Sequence, residues 1–411
     1  MKIAIRKADI FWLFLAIYWI LENLAPHSLI SQLGMVMMII VLTLYCFVHK
    51  KINISPVLYS YLGLIVLQGV YCILGFPLDL SVTLNNLQTM IICAISGIVM
   101  YTFMCSVDDI DKLESFFIYT GLISLLIVFF LCRDNLFIGR MAHAYGEGSV
   151  SYYLFGMPVS ISSNGIATYS CFGAFFSLIK YYKERSKKFL IYIFIFVVGI
   201  ALTGSRKGLL MLAAFWGIYE MAIKGNKKYI LNLIKIGVSV ILGFIIITKI
   251  PALYAIIGER LEDLLINKFT GQSVSEGSMS ARARYAAYAV EIIKNNYLFG
   301  NGLGWFKSIY GNVTENNYYE LLVGCGVFGL LVNYSFIPNF LKRLYRYRKN
   351  PYCYAMGLVL IVILIMEWGS VVYLSRDMLI FESLFYILLW RNKCGDKCVR
   401  NHLRLDYKEY I

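Results

Sequence analysis

The first chemistry this sequence offers is a set of cations in glycine-rich surroundings. Ala201-Leu202-Thr203-Gly204-Ser205-Arg206-Lys207-Gly208-Leu209 places two adjacent cations between glycines, directly ahead of an apolar run. A helix N-terminus with free N–H groups beside a guanidinium is a ready anion site. Two cations at the end of a membrane span are equally a membrane anchor. Arg282 and Arg284 open a second helical stretch, to about Asn295, with Ala286, Ala289, Val290 and Ile293 on one stripe. The planar guanidinium pairs bidentately with phosphate and stays charged at any working pH. Further on, Thr314-Glu315-Asn316-Asn317-Tyr318 supplies one carboxylate among hydrogen-bonding side chains. Glu315 suits proton abstraction from a hydroxyl, or equally the orienting of an arginine. Between about Arg133 and Ser163, Arg140 and His143 lie among Tyr145, Tyr152 and Tyr153. Aromatic faces with polar tips suit carbohydrate rings, and interface-anchoring tyrosines have the same pattern.

The elements that must position these residues are membrane helices. Hydrophobic residues make up 59% of the 411 residues and charged ones 15%, with mean hydropathy +0.68. A soluble domain carries roughly 25% charged residues. The apolar runs are about 20 residues long, enough to cross the hydrocarbon, and a segment there must satisfy its own backbone, which selects helix. The spans expected are 9–26, 29–48, 56–75, 84–105, 115–132, 163–182, 189–204, 207–223, 230–250, 316–340, 352–373 and 377–390. The expectation is thus an all-α, polytopic integral membrane protein of about twelve transmembrane helices, forming a single membrane domain over 1–411. With Met1 in the cytoplasm, 25 of the 38 basic residues fall on the inner side, as the positive-inside rule demands. Both termini are then cytoplasmic, 391–411 is a basic inner tail, and 251–315 is a large extracytoplasmic loop. That loop opens on an amphipathic stretch, Leu253 to Phe269, suited to lying on the membrane surface.

Other signals lead elsewhere or nowhere. The net charge of +14 is dispersed over many short loops, which speaks against nucleic acid. Gly300-Asn301-Gly302-Leu303-Gly304 follows no strand, so it reads as a tight turn returning the chain to the bilayer, not a dinucleotide loop. Asp109-x-Asp111 sits in a short inner loop with no α/β domain around it, and Cys394, Cys398 and His402 supply three metal-like positions on a flexible tail. Glu22 lies near the outer end of the first span, where a hydrated carboxylate is expected. The first span runs on as a helix without a small-residue cleavage site and reads as a retained signal anchor. Almost no charge is expected mid-bilayer. With no external acidic cage, neither a metal nor another cofactor is expected.

Three of these segments resemble one family. Thr203-Gly204-Ser205-Arg206-Lys207-Gly208 is similar to the "T-G-S-R-x-x" turn of the O-antigen polymerase and O-antigen ligase superfamily (Wzy type). Arg284-Tyr285-Ala286-Ala287-Tyr288 with Tyr297-Leu298-Phe299-Gly300-Asn301-Gly302 resembles its "R-x-x-x-W … P-L-x-G-x-G". Glu315-Asn316-Asn317-Tyr318-Tyr319 with Gly326-Val327-Phe328-Gly329-Leu330 is similar to its "H-N-x-Y-L … G-x-x-G-L". Tyr297 stands in place of the usual proline, and Glu315 stands where the ligases especially carry histidine.

The resemblance implies a membrane glycosyltransferase, like those of the GT-C type, acting on the outer face of the cytoplasmic membrane. Its substrate would be an oligosaccharide repeat unit on undecaprenyl diphosphate, polymerised for O-antigen, capsule or exopolysaccharide. Arg206 and Arg284 would stabilise the diphosphate leaving group with inversion and without metal, and Glu315 would serve the acceptor hydroxyl. Arg282, Lys207, Arg140, Asn316 and Tyr318 would bind substrate. A flippase and a chain-length regulator are the partners such an enzyme implies, besides membrane lipid. The competing readings are an O-antigen ligase-type transferase and a lipid-linked oligosaccharide flippase or transporter.

Overall fold

The computed structural model describes residues 7–24, 29–49, 52–106, 110–131, 133, 149–154, 157–203, 205–224, 231, 249 and 278–389. The expected span 230–250, the amphipathic stretch 253–269, Arg140, and Cys394, Cys398 and His402 all lie outside these residues, apart from the isolated positions 231 and 249. Contacts divide the chain into two compact units, Met1–Lys51 with Ser106–Tyr285, and Ile52–Cys105 with Ala286–Ile411.

The first unit holds α1 (Lys7–Leu24), α2 (Leu29–His49), α5 (Ile110–Leu131), α6 (Ser163–Glu184), α7 (Lys188–Thr203) and α8 (Arg206–Ile218). Its core is aromatic. Trp19, 1% exposed, sets its edge against Phe117 at 5.7 Å and Tyr169 at 5.9 Å. Gly173 on α6 gives up its side chain to the Phe196 ring of α7, the close approach small residues allow between membrane helices. One turn of π-helix, Tyr219–Ile223, ends α8. Glu22 corrects its sequence reading: it is buried and accepts a hydrogen bond from Ser31. Outside the helices, Ser149–Leu154 (β1) and Met157–Ser162 (β2) pair antiparallel, Ser149 opposite Ser162. This hairpin departs from the all-α expectation, and its Val and Tyr content favours strand.

The second unit holds α3 (Pro56–Leu74) and α4 (Leu80–Ser106), then α10 (Trp305–Tyr310), α11 (Asn317–Asn333), α12 (Ile337–Tyr347), α13 (Pro351–Met366) and α14 (Arg376–Leu388). Helix α9, Ser278–Asn295, contributes its residues from Ala286 onward. Ser55 caps α3 by accepting from Leu58 N and meets Ser383 of α14 at 3.3 Å. Ser60 of α3 meets Ser335 at 2.8 Å.

By length and composition, five helical stretches among the described residues can cross a membrane: Pro56–Leu74, Leu80–Cys105, Asp111–Leu131, Asn317–Tyr347 and Pro351–Gly369. The fourth overlaps the expected span 316–340 and runs on to Tyr347. Its first helix, α11, is broken at Gly326, whose φ of 64° and ψ of −166° are not helical.

Candidate functional site

In the first unit the turn before α8 is held by its hydroxyls. Thr203 and Ser205 are buried. Thr203 Oγ1 accepts from Ser205 N at 3.2 Å and donates to the Ile200 carbonyl at 2.7 Å. Ser205 is the N-cap: its Oγ accepts from Gly208 N at 3.2 Å and donates to Asn164 Oδ1 of α6 at 2.7 Å. Gly208 packs against Ala167 with no room for a side chain. Arg206 is therefore the first residue of a helix whose start is tied to two neighbouring segments. Lys207, half-buried, follows it.

Arg282 and Arg284 are both exposed on α9. Two residues apart on a helix places them about 200° around the axis. They therefore leave α9 on nearly opposite sides.

In the second unit the glycine turn has a role beyond redirecting the chain. Helix α11 loses its own bonds across Gly326, leaving the carbonyls of Val323 and Gly324 and the N–H groups of Val327 and Phe328. The turn replaces them. Asn301 N donates to Val323 O at 2.9 Å and Gly302 N to Gly324 O at 2.6 Å, while Val327 N donates to Tyr297 O at 2.8 Å and Phe328 N to Leu298 O at 3.2 Å. In an apolar medium an open break would leave each of these groups costing several kcal/mol. Gly300 and Gly326 allow the approach: both have positive φ, and a Cβ on either would strike the opposing backbone. Leu303 locks the turn to α3 and α4, its N–H donating to Gln68 Oε1 at 3.1 Å and its carbonyl accepting from Thr83 Oγ1 at 3.2 Å.

The break makes α11 short and folds the chain back. Asn317 Nδ2 at its start reaches the Tyr334 hydroxyl just past its end, at 3.0 Å, whereas 17 helical residues would span about 25 Å. Glu315 precedes this element with φ 58°, one of two non-glycine residues at positive φ among the described residues. Its neighbours hold it there. Thr314 N donates to Glu320 Oε2 at 2.9 Å, and Thr314 Oγ1 donates to the Asn316 carbonyl at 2.8 Å. Asn316 caps α11, Oδ1 accepting from Tyr318 N at 2.9 Å and Tyr319 N at 3.1 Å. Tyr318 donates its hydroxyl to the Leu364 carbonyl of α13 at 2.6 Å. Glu315 itself is half-buried.

In the second unit, three buried carboxylates had no role in the sequence reading. Glu320 and Glu367 are each 1% exposed and Glu382 8%. Glu367 Oε2 accepts from Asn317 Nδ2 at 2.7 Å and from the Tyr334 hydroxyl. Asn317 Oδ1 takes Val372 N at 3.0 Å and Tyr373 N at 3.2 Å. Glu367 and Glu382 line one cavity of about 20 Å³ with Tyr61, Tyr373 and Asn317. The signal was available: an ionisable residue inside an apolar run is a functional candidate by default. Among the described residues no group of three His, Cys, Asp or Glu side chains converges as a metal cage.

The apolar helices and these satisfied helix ends define an integral membrane protein. Residues 191–334 match the family model described as O-antigen ligase. The matched stretch contains the Ser205-capped turn, the glycine turn and broken α11. No curated protein matches the chain.

Proposed function

We propose that the protein is a polysaccharide polymerase, joining undecaprenyl diphosphate-linked repeat units on the outer face of the cytoplasmic membrane. The observation that carries this reading is Glu315. It occupies the position of the family's histidine, in a left-handed backbone that a glutamate adopts at a cost of about 1–2 kcal/mol. Such strain persists only where the surroundings over-determine it, and it gathers at functional sites. The acceptor hydroxyl attacks the anomeric carbon, and its proton passes to the Glu315 carboxylate. The bond from that carbon to the diphosphate breaks with inversion, and lipid diphosphate leaves with the electron pair. Arg206 and Arg284 stabilise the charge that develops on it, with Lys207, Arg282 and Arg140 assisting substrate binding.

The ligase reading has the description of the matched family model in its favour. Against it, the ligase histidine is absent from this chain's motif. The test is incubation of purified protein with lipid diphosphate-linked repeat units in EDTA, beside Arg206→Ala and Arg284→Ala. A ladder of longer lipid-linked glycans, lost in both variants, supports the arginine-assisted polymerase. Transfer only to a second acceptor supports the ligase. Lipid translocation in liposomes without any ladder sinks the enzyme reading in favour of a flippase.

A further inference from the structure

Among the described tryptophans, Trp368 is the widely exposed one, and its neighbours are tied by hydrogen bonds. It follows Glu367 in the short 3₁₀ turn Glu367–Gly369 and is 62% exposed. Its ring lies 5.7 Å from Tyr319, tilted 54°, and 5.9 Å from Tyr318, tilted 42°. Tilted neighbours leave ring faces open. Tyr288 and Tyr310, by contrast, stack on each other at 4.8 Å and 8°, each using up one face.

The mounting is polar and rigid. Glu367, next to Trp368, is held by Asn317 Nδ2 and the Tyr334 hydroxyl. Tyr318 is pinned by its hydroxyl to Leu364 and stacked on Tyr334 at 5.4 Å. Tyr318 and Tyr319 belong to the first turn of α11, three and four residues after Glu315. From Pro351, the 16 residues of α13 rise about 24 Å, which brings the following turn near the far edge of a hydrocarbon core about 30 Å thick. A tryptophan that only anchors a helix in the headgroups needs none of this locked backing.

We propose that Trp368, flanked by Tyr319, is a stacking subsite for a pyranose ring of the acceptor saccharide. The inference rests on the polymerase reading and names a part of its substrate site. The apolar C–H face of a sugar lies on the indole, and its hydroxyls stay at the rim near the start of α11. Pre-set aromatic faces give such binding at little entropic cost.

The test uses full-length protein in lipid nanodiscs. The probe is the saccharide released by mild acid from lipid-linked glycan of the producing cells, and the signal is the difference in tryptophan fluorescence between wild type and Trp368→Phe. The expected result is a saturable change present in wild type, with binding measured by calorimetry about tenfold weaker in Trp368→Ala and intermediate in Trp368→Phe. Nanodiscs of brominated lipid should quench Trp368 little. Strong bromolipid quenching with unchanged saccharide binding would overturn the proposal and make Trp368 a headgroup anchor. A sharp melting transition retained by Trp368→Phe separates loss of the subsite from loss of fold. Saccharide binding without any glycan ladder would count against the polymerase and leave the subsite standing; a ladder with unchanged binding in Trp368→Ala would do the reverse.

Discussion

Asn317 and Glu367 lie 50 residues apart in the chain, and the amide of one donates to the carboxylate of the other at 2.7 Å. Both are 1% exposed. The contact joins the start of α11, which carries Glu315 just ahead of it, to the turn that carries Trp368. A carboxylate buried this deeply needs its donors, because losing one exposes the full desolvation cost.

Replacing Asn317 by Leu should therefore destabilise the protein by about 1–3 kcal/mol. Glu367→Gln should be milder, since an amide needs fewer donors. In a double-mutant cycle read by thermal unfolding in detergent, the pair should couple by at least about 1 kcal/mol. Strictly additive costs would mean that the contact carries no energy.

Gly326→Ala should cost about 1–3 kcal/mol from backbone strain alone, and more as the new methyl pushes the Leu298 carbonyl away. Gly69, in α3 with open space where a side chain would go, is the control; its alanine variant should change stability by no more than about 1 kcal/mol. Equal melting temperatures for the two variants would contradict the docking of the glycine turn on the broken helix.

Ser205→Ala removes a cap worth about 1 kcal/mol and the bond to Asn164. Glycan polymerisation should fall with it, because Arg206 begins the helix that Ser205 starts. Ser205→Thr, which keeps the hydroxyl, should recover most of the rate. A rate unaffected by Ser205→Ala would detach the cap from the chemistry.

Arg206→Ala and Arg284→Ala should each lower turnover by about 10²–10³-fold, the loss typical of one donor to a developing charge. Lysine in place of either should rescue only in part, lacking the bidentate fork. Arg282, on another side of α9, should affect KM more than kcat. Similar kcat losses for Arg282→Ala and Arg284→Ala would show that both reach the leaving group.

At the other end of the first unit, Lys183 Nζ pairs with the buried Glu114 at 2.9 Å and with Asp111 at 3.2 Å. Burial disfavours the Lys183 cation, but the Glu114 and Asp111 carboxylates outweigh it and raise its pKa above the ordinary lysine value. A raised lysine pKa contributes stability in full below the unfolded pKa and loses it as pH rises through the folded one. Lys183→Met should thus destabilise by about 1–2 kcal/mol, less than the loss of a fully buried pair, because water screens the partly exposed Lys183 side chain. The gap in melting temperature should stay level between about pH 6 and about pH 9 and narrow only above the ordinary lysine pKa of about 10.4. A gap that closes near neutral pH would refute the pairing.

Much of this was legible along the chain. Runs of about 20 apolar residues announce helices because the bilayer leaves a backbone no other partner. The motif segments around Arg206 and Glu315 were readable because helix starts and tight turns depend on residues close in sequence, Ser205 with Gly208 and Asn316 with Tyr318.

What only the tertiary structure decided are the long-range satisfactions. Gly300-x-Gly302-x-Gly304 reads as a turn in sequence; its use is to take up the groups freed at Gly326, and that pairing has no local signature. Nothing along the chain joins Glu367 to Asn317 and Tyr334, which only the fold brings to its carboxylate. Hydropathy marks where a segment must hide, whereas the partner of a buried polar group is chosen by where the folded chain brings other donors within 3 Å, and no spacing along the sequence encodes that.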